Sequence, residues 1–313
     1  MDRLYEAVAE RGHVCVGLDT AVDYIPPTER RKAASDAGAV LAFNKAIIDA
    51  CAGYAACFKV QIACYEEMGL QGLETYAKTL KYLREKDIPV IADIKRGDIA
   101  DTAHRYARAH FDGDFEADFV TLNPYMGMDS IEPWFAYTEN RGKGAFVLVR
   151  TSNKGMKDFE YQELKTPVPY PHAVVGTRLY DAVAVKLAEL AEARCGKYGY
   201  GAFGAVVGVD LKSGDGREET AELRKKLRNL FLLVPGYGAQ GGAADDAALL
   251  LRNGNGGVVN ASRSILKAWT TSGAVEIEKD LTEADNRFAA NSARKAVIEM
   301  RDALRAAAGP TGT

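Results

Sequence analysis

The chain has 313 residues, with 40 Lys and Arg against 43 Asp and Glu, so its formal net charge is −3. This length suits one large α/β barrel or two smaller domains. The small acidic excess, with a pI near 5.9, argues against a general nucleic-acid-binding protein. No apolar stretch is long enough to span a membrane, and the first residues lack the apolar core of a signal peptide.

The five cysteines fit a reducing compartment. No CxxC pair is present, the number is odd, and Cys15 and Cys57 lie inside apolar runs where a small buried thiol is the expected role. We therefore expect a cytoplasmic protein that has neither a membrane nor a nucleic acid as its partner.

Short apolar runs typical of buried strands alternate along the chain with longer segments of helical periodicity. The predicted strands are residues 13–19, 56–61, 88–95, 118–124, 144–152, 203–210, 230–234 and 257–261. The predicted helices are residues 28–49, 72–86, 98–110, 130–140, 174–193, 217–227, 245–252 and 283–307. A long polar connection over residues 153–172 follows the fifth strand, and such connections are often functional lids.

Eight β-then-α units in this order predict a (β/α)₈ TIM barrel. No linker, low-complexity segment or short-period repeat interrupts the chain, so residues 1–313 are predicted to form a single domain. The alternative is a doubly wound open sheet. Its usual GxGxxG loop after the first strand is missing, because Gly17-Leu18-Asp19 stands there.

The end of the third strand carries an unusual set of charges. Asp93 and Lys95 alternate along a strand and should point to the same side. Gly97 permits a sharp exit, and Asp98 stands where a helix N-cap is expected. Such charges are costly inside a packed domain unless they are paired. For an isolated motif of this kind, a structural ion pair plus a helix cap would be the favoured explanation.

Other strand ends carry chemistry that would meet this cluster in a barrel, where active sites lie at the carboxyl ends of the strands. Asp19 follows the first strand, and Lys59 lies among apolar neighbours that leave its charge in need of a partner. Ser152, Gln240 and Arg263 follow strands five, seven and eight. The Gly-rich residues 235–242 could bring backbone amides to a phosphate, and Arg263 could add a bidentate contact. Taken singly, these are also ordinary features of turns and helix starts.

The segment Asp93-Ile94-Lys95-Arg96-Gly97-Asp98-Ile99 resembles the DxKxxD signature of the orotidine 5′-phosphate decarboxylase family. The resemblance covers nearly the whole chain, and its length and long fifth connection resemble the longer bacterial branch. Sugar-phosphate decarboxylases and lyases of the same superfamily share DxKxxD. Lys59 is the more specific feature, because the keto-gulonate phosphate branch typically has an acid there and uses Mg²⁺. Further matching segments are Gly17–Asp19, Phe58–Val60, Thr151–Asn153, residues 235–242 and Ser262–Ser264.

The resemblance implies a decarboxylation of orotidine 5′-phosphate to uridine 5′-phosphate that needs neither a metal nor an organic cofactor. Lys95 would supply a cation beside C6 of the pyrimidine and then the proton. Asp93 would lie near the departing carboxylate and hold Lys95. Lys59 and Asp98 would complete an alternating array in which each charge keeps its neighbours ionised.

The resemblance also implies the roles of the binding residues. Asp19 and Lys59 would contact the ribose hydroxyls, and Ser152 would bind the amide edge of the pyrimidine. In the family, the second Asp of the motif and the Thr four residues later reach into a partner's site. The corresponding residues of this chain are Asp98 and Thr102. A homodimer with shared sites is therefore expected. The 5′-phosphate would be bound by Gln240 and Arg263.

Two alternatives remain at this point. One is a Mg²⁺-dependent sugar-phosphate decarboxylase or lyase on the same barrel, which Lys59 disfavours. The other is a nucleotide-binding protein without catalytic activity. The complete set of Asp93, Lys95 and Asp98 disfavours that reading, because binding alone does not require such a costly charge array.

Overall fold

The computed structural model of the chain describes residues 1–165, 177–208, 216–237, 244–252, 254–271 and 284–309. Within these residues, eight parallel strands form a closed barrel in chain order, β1 to β8, and β8 pairs back onto β1. The predicted TIM barrel is confirmed. The strands are β1 Val14–Gly17, β2 Cys57–Gln61, β3 Val90–Arg96, β4 Phe119–Leu122, β5 Gly144–Arg150, β6 Phe203–Val207, β7 Leu232–Val234 and β8 Gly257–Ala261.

The strands are buried on both faces, as expected for parallel strands covered by helices, and this is why their sequences are almost continuously apolar. Residues facing outward from the barrel pack against the surrounding helices in one large core. The helices are α1 Asp2–Arg11, α2 Pro27–Lys32, α3 Asp36–Cys51, α4 Ala63–Glu66, α5 Gly69–Glu85, α6 Ala100–Phe111, α7 Phe135–Arg141, α8 Met156–Phe159, α9 Leu179–Glu192, α10 Gly216–Lys226, α11 Ala244–Ala248, α12 Arg263–Leu266 and α13 Asn286–Ala308. None of them is long and apolar enough to cross a membrane.

Helix α1 packs against the amino-terminal end of the barrel, an element that the sequence patterns did not predict. Leu4 and Val8 are buried in the same cluster as Phe146 and Phe231 of the barrel interior. The side chain of Asp2 accepts hydrogen bonds from backbone amides of residues 197 and 198, which ties the start of the helix to the loop before β6. One end of the barrel is thus covered, and the carboxyl ends of the strands remain the accessible end.

Several helix predictions differ from the structure in their limits; the helix predicted over residues 245–252, for example, ends at Ala248. The single helix predicted over residues 28–49 is two helices, because the chain leaves α2 at Lys32 and the Ser35 side chain accepts from Gly38 N to begin α3. The predicted N-cap role of Asp98 is wrong: α6 begins at Ala100, its N-cap residue is Ile99, and no side chain caps it. The segment predicted as a helix over 130–140 begins with short 3₁₀ turns before α7.

Two histidines are buried in the fold in neutral form. His13 and His110 are each 2% exposed. His13 lies before β1, with Nε2 3.0 Å from Gly254 O. Burial lowers the pKa of His13 from 6.5 to about 4, a shift that the backbone hydrogen bond to Gly254 partly opposes. Burial, helped by the charge of Arg96, likewise lowers the pKa of His110 from 6.5 to about 4.

These histidines should make the fold sensitive to mild acid. The unfolded chain binds protons at these groups near pH 6.5, whereas the folded chain binds them only near pH 4. The contribution of the neutral histidines to the free energy of unfolding is therefore complete above pH 6.5 and is lost as the pH falls towards 4. We expect each histidine to add about 1.4 kcal/mol per pH unit to the slope of unfolding free energy in that range. The free energy of unfolding, measured with urea at a series of pH values, should depend less steeply on pH in the double variant His13→Gln, His110→Gln than in the wild-type protein. Equal slopes in the wild-type protein and the double variant would contradict the prediction.

Candidate active site

A cavity of about 200 Å³ opens at the carboxyl ends of the strands. Charged groups from β2 and β3 form one wall, and apolar side chains from β5, β6 and β7 form the opposite wall. The lining residues are Lys59, Asp93, Lys95, Thr121, Leu148, Thr151, Ser152, Asn153, Val206, Leu233, Pro235 and Asn260.

The charged wall is a continuous chain of ion pairs. Lys59 Nζ lies 2.9 Å from Asp19 Oδ1 and 2.8 Å from Asp93 Oδ2. Lys95 Nζ lies 2.6 Å from Asp93 Oδ1. The side chains of Lys59 and Asp93 are 6% and 7% exposed, whereas that of Lys95 is 47% exposed. The inner charges are therefore fixed by their partners, and the Lys95 ammonium can reach a molecule in the cavity.

Burial and pairing act in opposite directions on these groups, and pairing prevails. Burial alone would lower the pKa of Lys59, but the carboxylates of Asp93 and Asp19 raise it above its ordinary value. Burial alone would raise the pKa of Asp93, but Lys59 and Lys95 hold it well below the usual range. Both groups are thus ionised at neutral pH, which gives the cavity fixed charges that need no reorganisation when a substrate binds.

The backbone at Lys95 departs from an ordinary strand. The pairing of β3 with β4 shifts register between Ala92 and Arg96. Lys95 itself has φ +44°, in the left-handed region that side chains other than glycine rarely adopt. This bulge brings the ammonium of Lys95 back onto the carboxylate of Asp93, two residues earlier.

Two residues that sequence reasoning missed complete the hydrogen bonding of Asp93. Gln61 Nε2 donates to Asp93 Oδ2 at 3.0 Å, and Thr121 Oγ1 donates to Asp93 Oδ1 at 2.8 Å. With the two lysines, four donors surround the carboxylate, which matches its acceptor capacity. A signal was present in the sequence, since Gln61 lies two residues after Lys59 on the same strand and therefore on the same face.

Asp19 is held in place by Ser262, the residue that follows β8. Ser262 Oγ donates to Asp19 Oδ2 at 2.9 Å, and Asn260 Nδ2 lies 3.3 Å from Ser262 Oγ. A Cβ at Gly17 would lie 2.0 Å from Ser262 Oγ, so only glycine allows this approach. The Gly17-Leu18-Asp19 and Ser262-Arg263-Ser264 segments therefore meet in space although they lie at opposite ends of the chain.

Ser152 lines the cavity on the turn that follows β5. This turn is anchored by Glu160, which comes just after α8 in the long connection. Thr151 N donates to Glu160 Oε2 at 2.8 Å, and Thr151 Oγ1 donates to Glu160 Oε1 at 2.6 Å. The connection predicted as a lid thus supplies, in its described part, a carboxylate that positions the cavity wall.

Asp98, Thr102 and Arg263 do not line the cavity. Asp98 accepts a hydrogen bond from its neighbour Ile99 N at 2.9 Å, and Thr102 is exposed on the first turn of α6. Arg263 is exposed at the start of α12, with Nε 3.4 Å from Tyr24 Oη. Gln240 lies outside the described residues. The structure therefore brings together Asp19, Lys59, Asp93, Lys95 and Ser152 within one chain.

The position between the carboxylates of Asp19 and Asp93 is occupied by a lysine. The ammonium of Lys59 lies within 3 Å of both Asp19 and Asp93, where a bound divalent cation would otherwise use those oxygens. In the described part of the chain, no group of three or more His, Cys, Asp or Glu side chains is arranged to hold a metal ion.

Comparison with known proteins identifies the family. Residues 12–276 match the family described as orotidine 5′-phosphate decarboxylase / HUMPS. The chain belongs to this family. It is 53% identical over 306 residues to the orotidine 5′-phosphate decarboxylase of Clostridium perfringens strain 13, covering 98% of each chain. The corresponding protein of Clostridium tetani is 49% identical over 302 residues, covering 96% of each.

Solved structures described as members of this family have a similar fold. The OMP decarboxylase of Leishmania donovani superposes with a TM-score of 0.68 at 30% identity, covering 96% of this chain and 98% of that one. A protein of Streptomyces avermitilis described as a putative orotidine 5′-phosphate decarboxylase gives a TM-score of 0.73 at 28% identity, covering 98% and 95%. The prediction of a decarboxylating enzyme of pyrimidine nucleotide synthesis, a carboxy-lyase, is confirmed.

Removal of Lys59 should destabilise the fold, because the buried Asp93 carboxylate loses one of its two cations and Asp19 loses its pair with Lys59. Lys59→Met leaves two carboxylates without their shared cation, and breaking a buried ion pair in this way costs about 3–5 kcal/mol. Urea unfolding at pH 7 measures the loss. Lys32→Met provides the control, because the Lys32 side chain is 69% exposed and its pair with Glu29 should contribute at most about 1 kcal/mol. Equal losses in the two variants would show that the Lys59 pairs are not stabilising.

Proposed function

We propose that the cavity converts orotidine 5′-phosphate to uridine 5′-phosphate and CO₂, with Lys95 as the cation and proton donor at C6. The observation that supports this most strongly is the ion-pair chain Asp19–Lys59–Asp93–Lys95, which ends in a partly exposed ammonium at the cavity wall. The names of the clostridial relatives point to the same substrate.

The proposed chemistry is a single bond cleavage followed by a proton transfer. The bond between C6 and the carboxylate breaks, CO₂ leaves, and the electron pair remains on C6. The Lys95 ammonium stabilises this developing charge and then donates a proton to C6, which gives uridine 5′-phosphate. Because the Lys95 side chain is 47% exposed before substrate binds, water can restore its proton after product leaves.

Asp93 has two tasks in this proposal. It holds the Lys95 ammonium 2.6 Å away, and its own negative charge lies beside the substrate carboxylate that is to be lost. Leu148, Val206 and Leu233 on the opposite wall exclude water from the reacting carbon. In such a dry site, fixed charges stabilise a carbanion more strongly than they would in water.

The binding residues follow the order of the strand ends. Asp19 and Lys59 are assigned to the ribose hydroxyls, Ser152 to the amide edge of the pyrimidine, and Gln240 and Arg263 to the 5′-phosphate. Arg263 supports this assignment because it is exposed and begins α12 immediately after β8, a usual phosphate position in TIM barrels. Binding energy from the remote phosphate can then lower the barrier at the ring.

No metal or organic cofactor takes part in the proposed reaction. Its support is the placement of Lys59 between Asp19 and Asp93, since an ammonium there repels a divalent ion. A Mg²⁺-dependent sugar-phosphate activity would need those oxygens as metal ligands.

The free thiols of Cys15, Cys51 and Cys57 are buried, which agrees with a reducing compartment such as the cytoplasm.

We also propose a homodimer in which Asp98 and Thr102 reach the partner's cavity. Within one chain these residues do not line the cavity, as the proposal requires. Large apolar side chains are exposed in the segments that follow the adjacent strands β2, β3 and β4, and exposed apolar side chains grouped in this way mark contact surfaces. These are Leu70, Ile99, Tyr125 and Met126, which are 85%, 45%, 78% and 50% exposed.

Lys95→Ala should abolish turnover while leaving product binding intact. Loss of one fixed cation and of the proton donor should lower kcat by roughly 10⁴-fold or more. Loss of the ultraviolet absorbance of orotidine 5′-phosphate measures turnover in chelator-treated protein, and titration with uridine 5′-phosphate measures binding.

The exposed Lys78 on α5 provides the control, because Lys78→Ala should behave as wild type. Absence of turnover in the wild-type protein would contradict the proposed reaction. Full turnover by Lys95→Ala would contradict the role of Lys95 alone, and activity that returns only with Mg²⁺ would favour the sugar-phosphate alternative.

Mixing two inactive variants tests the shared site. A heterodimer of Lys95→Ala and Asp98→Asn contains one cavity with both changes and one with neither. Random mixing should therefore restore about a quarter of the wild-type activity. The control pairs Lys95→Ala with Asp93→Asn, two residues of the same cavity, and should restore none. Equal recovery in both mixtures, or none in either, would contradict the assignment of Asp98 to the partner's site.

A further inference from the structure

The reactive lysine stands on a backbone that must be held in place. Lys95 has φ +44°, and the ladder between β3 and β4 is interrupted on either side of it. A left-handed conformation is unfavourable for a lysine and persists only where surrounding contacts impose it. In the described residues, the Lys95 ammonium forms its ion pair with one carboxylate, that of Asp93. Some group must therefore fix both the backbone of Lys95 and the side chain of Asp93.

The hydroxyl of Thr121, on β4, contacts both. Ile94 N donates to Thr121 Oγ1 at 3.0 Å, and Lys95 N donates to the same oxygen at 2.9 Å. Thr121 Oγ1 in turn donates to Asp93 Oδ1 at 2.8 Å. A hydroxyl has two acceptor sites and one donor, so all of its hydrogen-bonding capacity is used. Thr121 is 1% exposed, which excludes water as a competing partner for these groups.

We infer that Thr121 is a positioning residue for decarboxylation: its hydroxyl holds the Lys95 backbone in the bulge and orients Asp93, so that the ammonium and the carboxylate stay aligned at the cavity wall. The inference rests on the proposed role of Lys95. The Thr121 hydroxyl replaces the missing hydrogen bonds of the strand ladder, because it accepts from two consecutive backbone amides of β3, those of Ile94 and Lys95. Without this bridge, Lys95 would be free to relax towards an ordinary strand conformation, which would carry its ammonium away from C6.

Thr121→Val tests the inference, because valine has nearly the same shape and lacks the hydroxyl. We expect kcat to fall roughly a hundredfold, the loss that a misplacement of about 1 Å can cause. KM and the affinity for uridine 5′-phosphate should stay within about threefold of wild type, since the shape of the cavity is kept. Exchange of the C6 hydrogen of uridine 5′-phosphate for deuterium should fall in parallel with kcat. That exchange requires an aligned Lys95 and would not respond to a change in stability of a protein that remains folded.

Two further variants provide the controls. Thr121→Ser keeps the hydroxyl and should retain kcat within a few-fold of wild type. Thr138→Val removes another buried hydroxyl, which donates to Phe135 O in α7 away from the cavity, and should keep full turnover. Lys95→Ala measured beside them shows whether the role of Lys95 itself holds.

Wild-type kcat in Thr121→Val would overturn the inference, as would an equal loss of turnover and nucleotide affinity in the folded variant. If Thr121→Val does not fold, Thr121→Ser decides the question. A kcat of Thr121→Ser near the wild-type value supports the positioning role of the hydroxyl. A hundredfold loss of kcat in Thr121→Ser with normal nucleotide affinity overturns the inference. Full activity of Lys95→Ala would instead refute the proposed function, whatever the Thr121 variants do.

Discussion

The buried carboxylate of Asp93 is the group on which the active site depends. The Asp93 side chain is 7% exposed, and a charge so far from water is tolerated only when its partners are in place. Lys59 and Lys95 approach it from either side, and Gln61 and Thr121 use its remaining acceptor sites. Because Lys59 and Lys95 hold the pKa of Asp93 well below its usual range, the cavity keeps a fixed negative charge with its paired cations beside it. The stability of the site and its proposed chemistry therefore have the same physical source.

The barrel makes this cluster possible by aligning strand ends. Gly17 pairs with Lys59 across β1 and β2, and Gln61 pairs with Asp93 across β2 and β3. Residues that are distant in the chain thus leave neighbouring strands at the same level, and closure of the barrel brings β8 beside β1 so that Ser262 reaches Asp19. With α1 packed at the opposite end, the carboxyl ends of the strands are the accessible face of the barrel.

Most of the fold was predictable from sequence because its strands are short apolar runs separated by amphipathic helices. The limits predicted for β8 agree with the structure, and the other strands lie within the predicted segments or extend one residue beyond them. The errors have local causes. Ser35 begins a new helix inside the segment predicted as one, and Ile99 rather than Asp98 precedes α6. Helix α1 was missed, although Leu4, Ala7 and Val8 recur at helical spacing.

The sequence by itself determined the barrel, the family and the charged residues at the strand ends, since periodicity and short motifs are properties of neighbouring residues. The tertiary structure decided how those charges are satisfied. Two contacts join segments that are far apart in the chain: the hydrogen bond between Thr121 and β3, and that between Ser262 and Asp19. The left-handed backbone of Lys95 depends on the break in register between β3 and β4. Hydrogen bonds act over about 3 Å in space and do not depend on sequence separation, so only the folded chain specifies which donors meet Asp93.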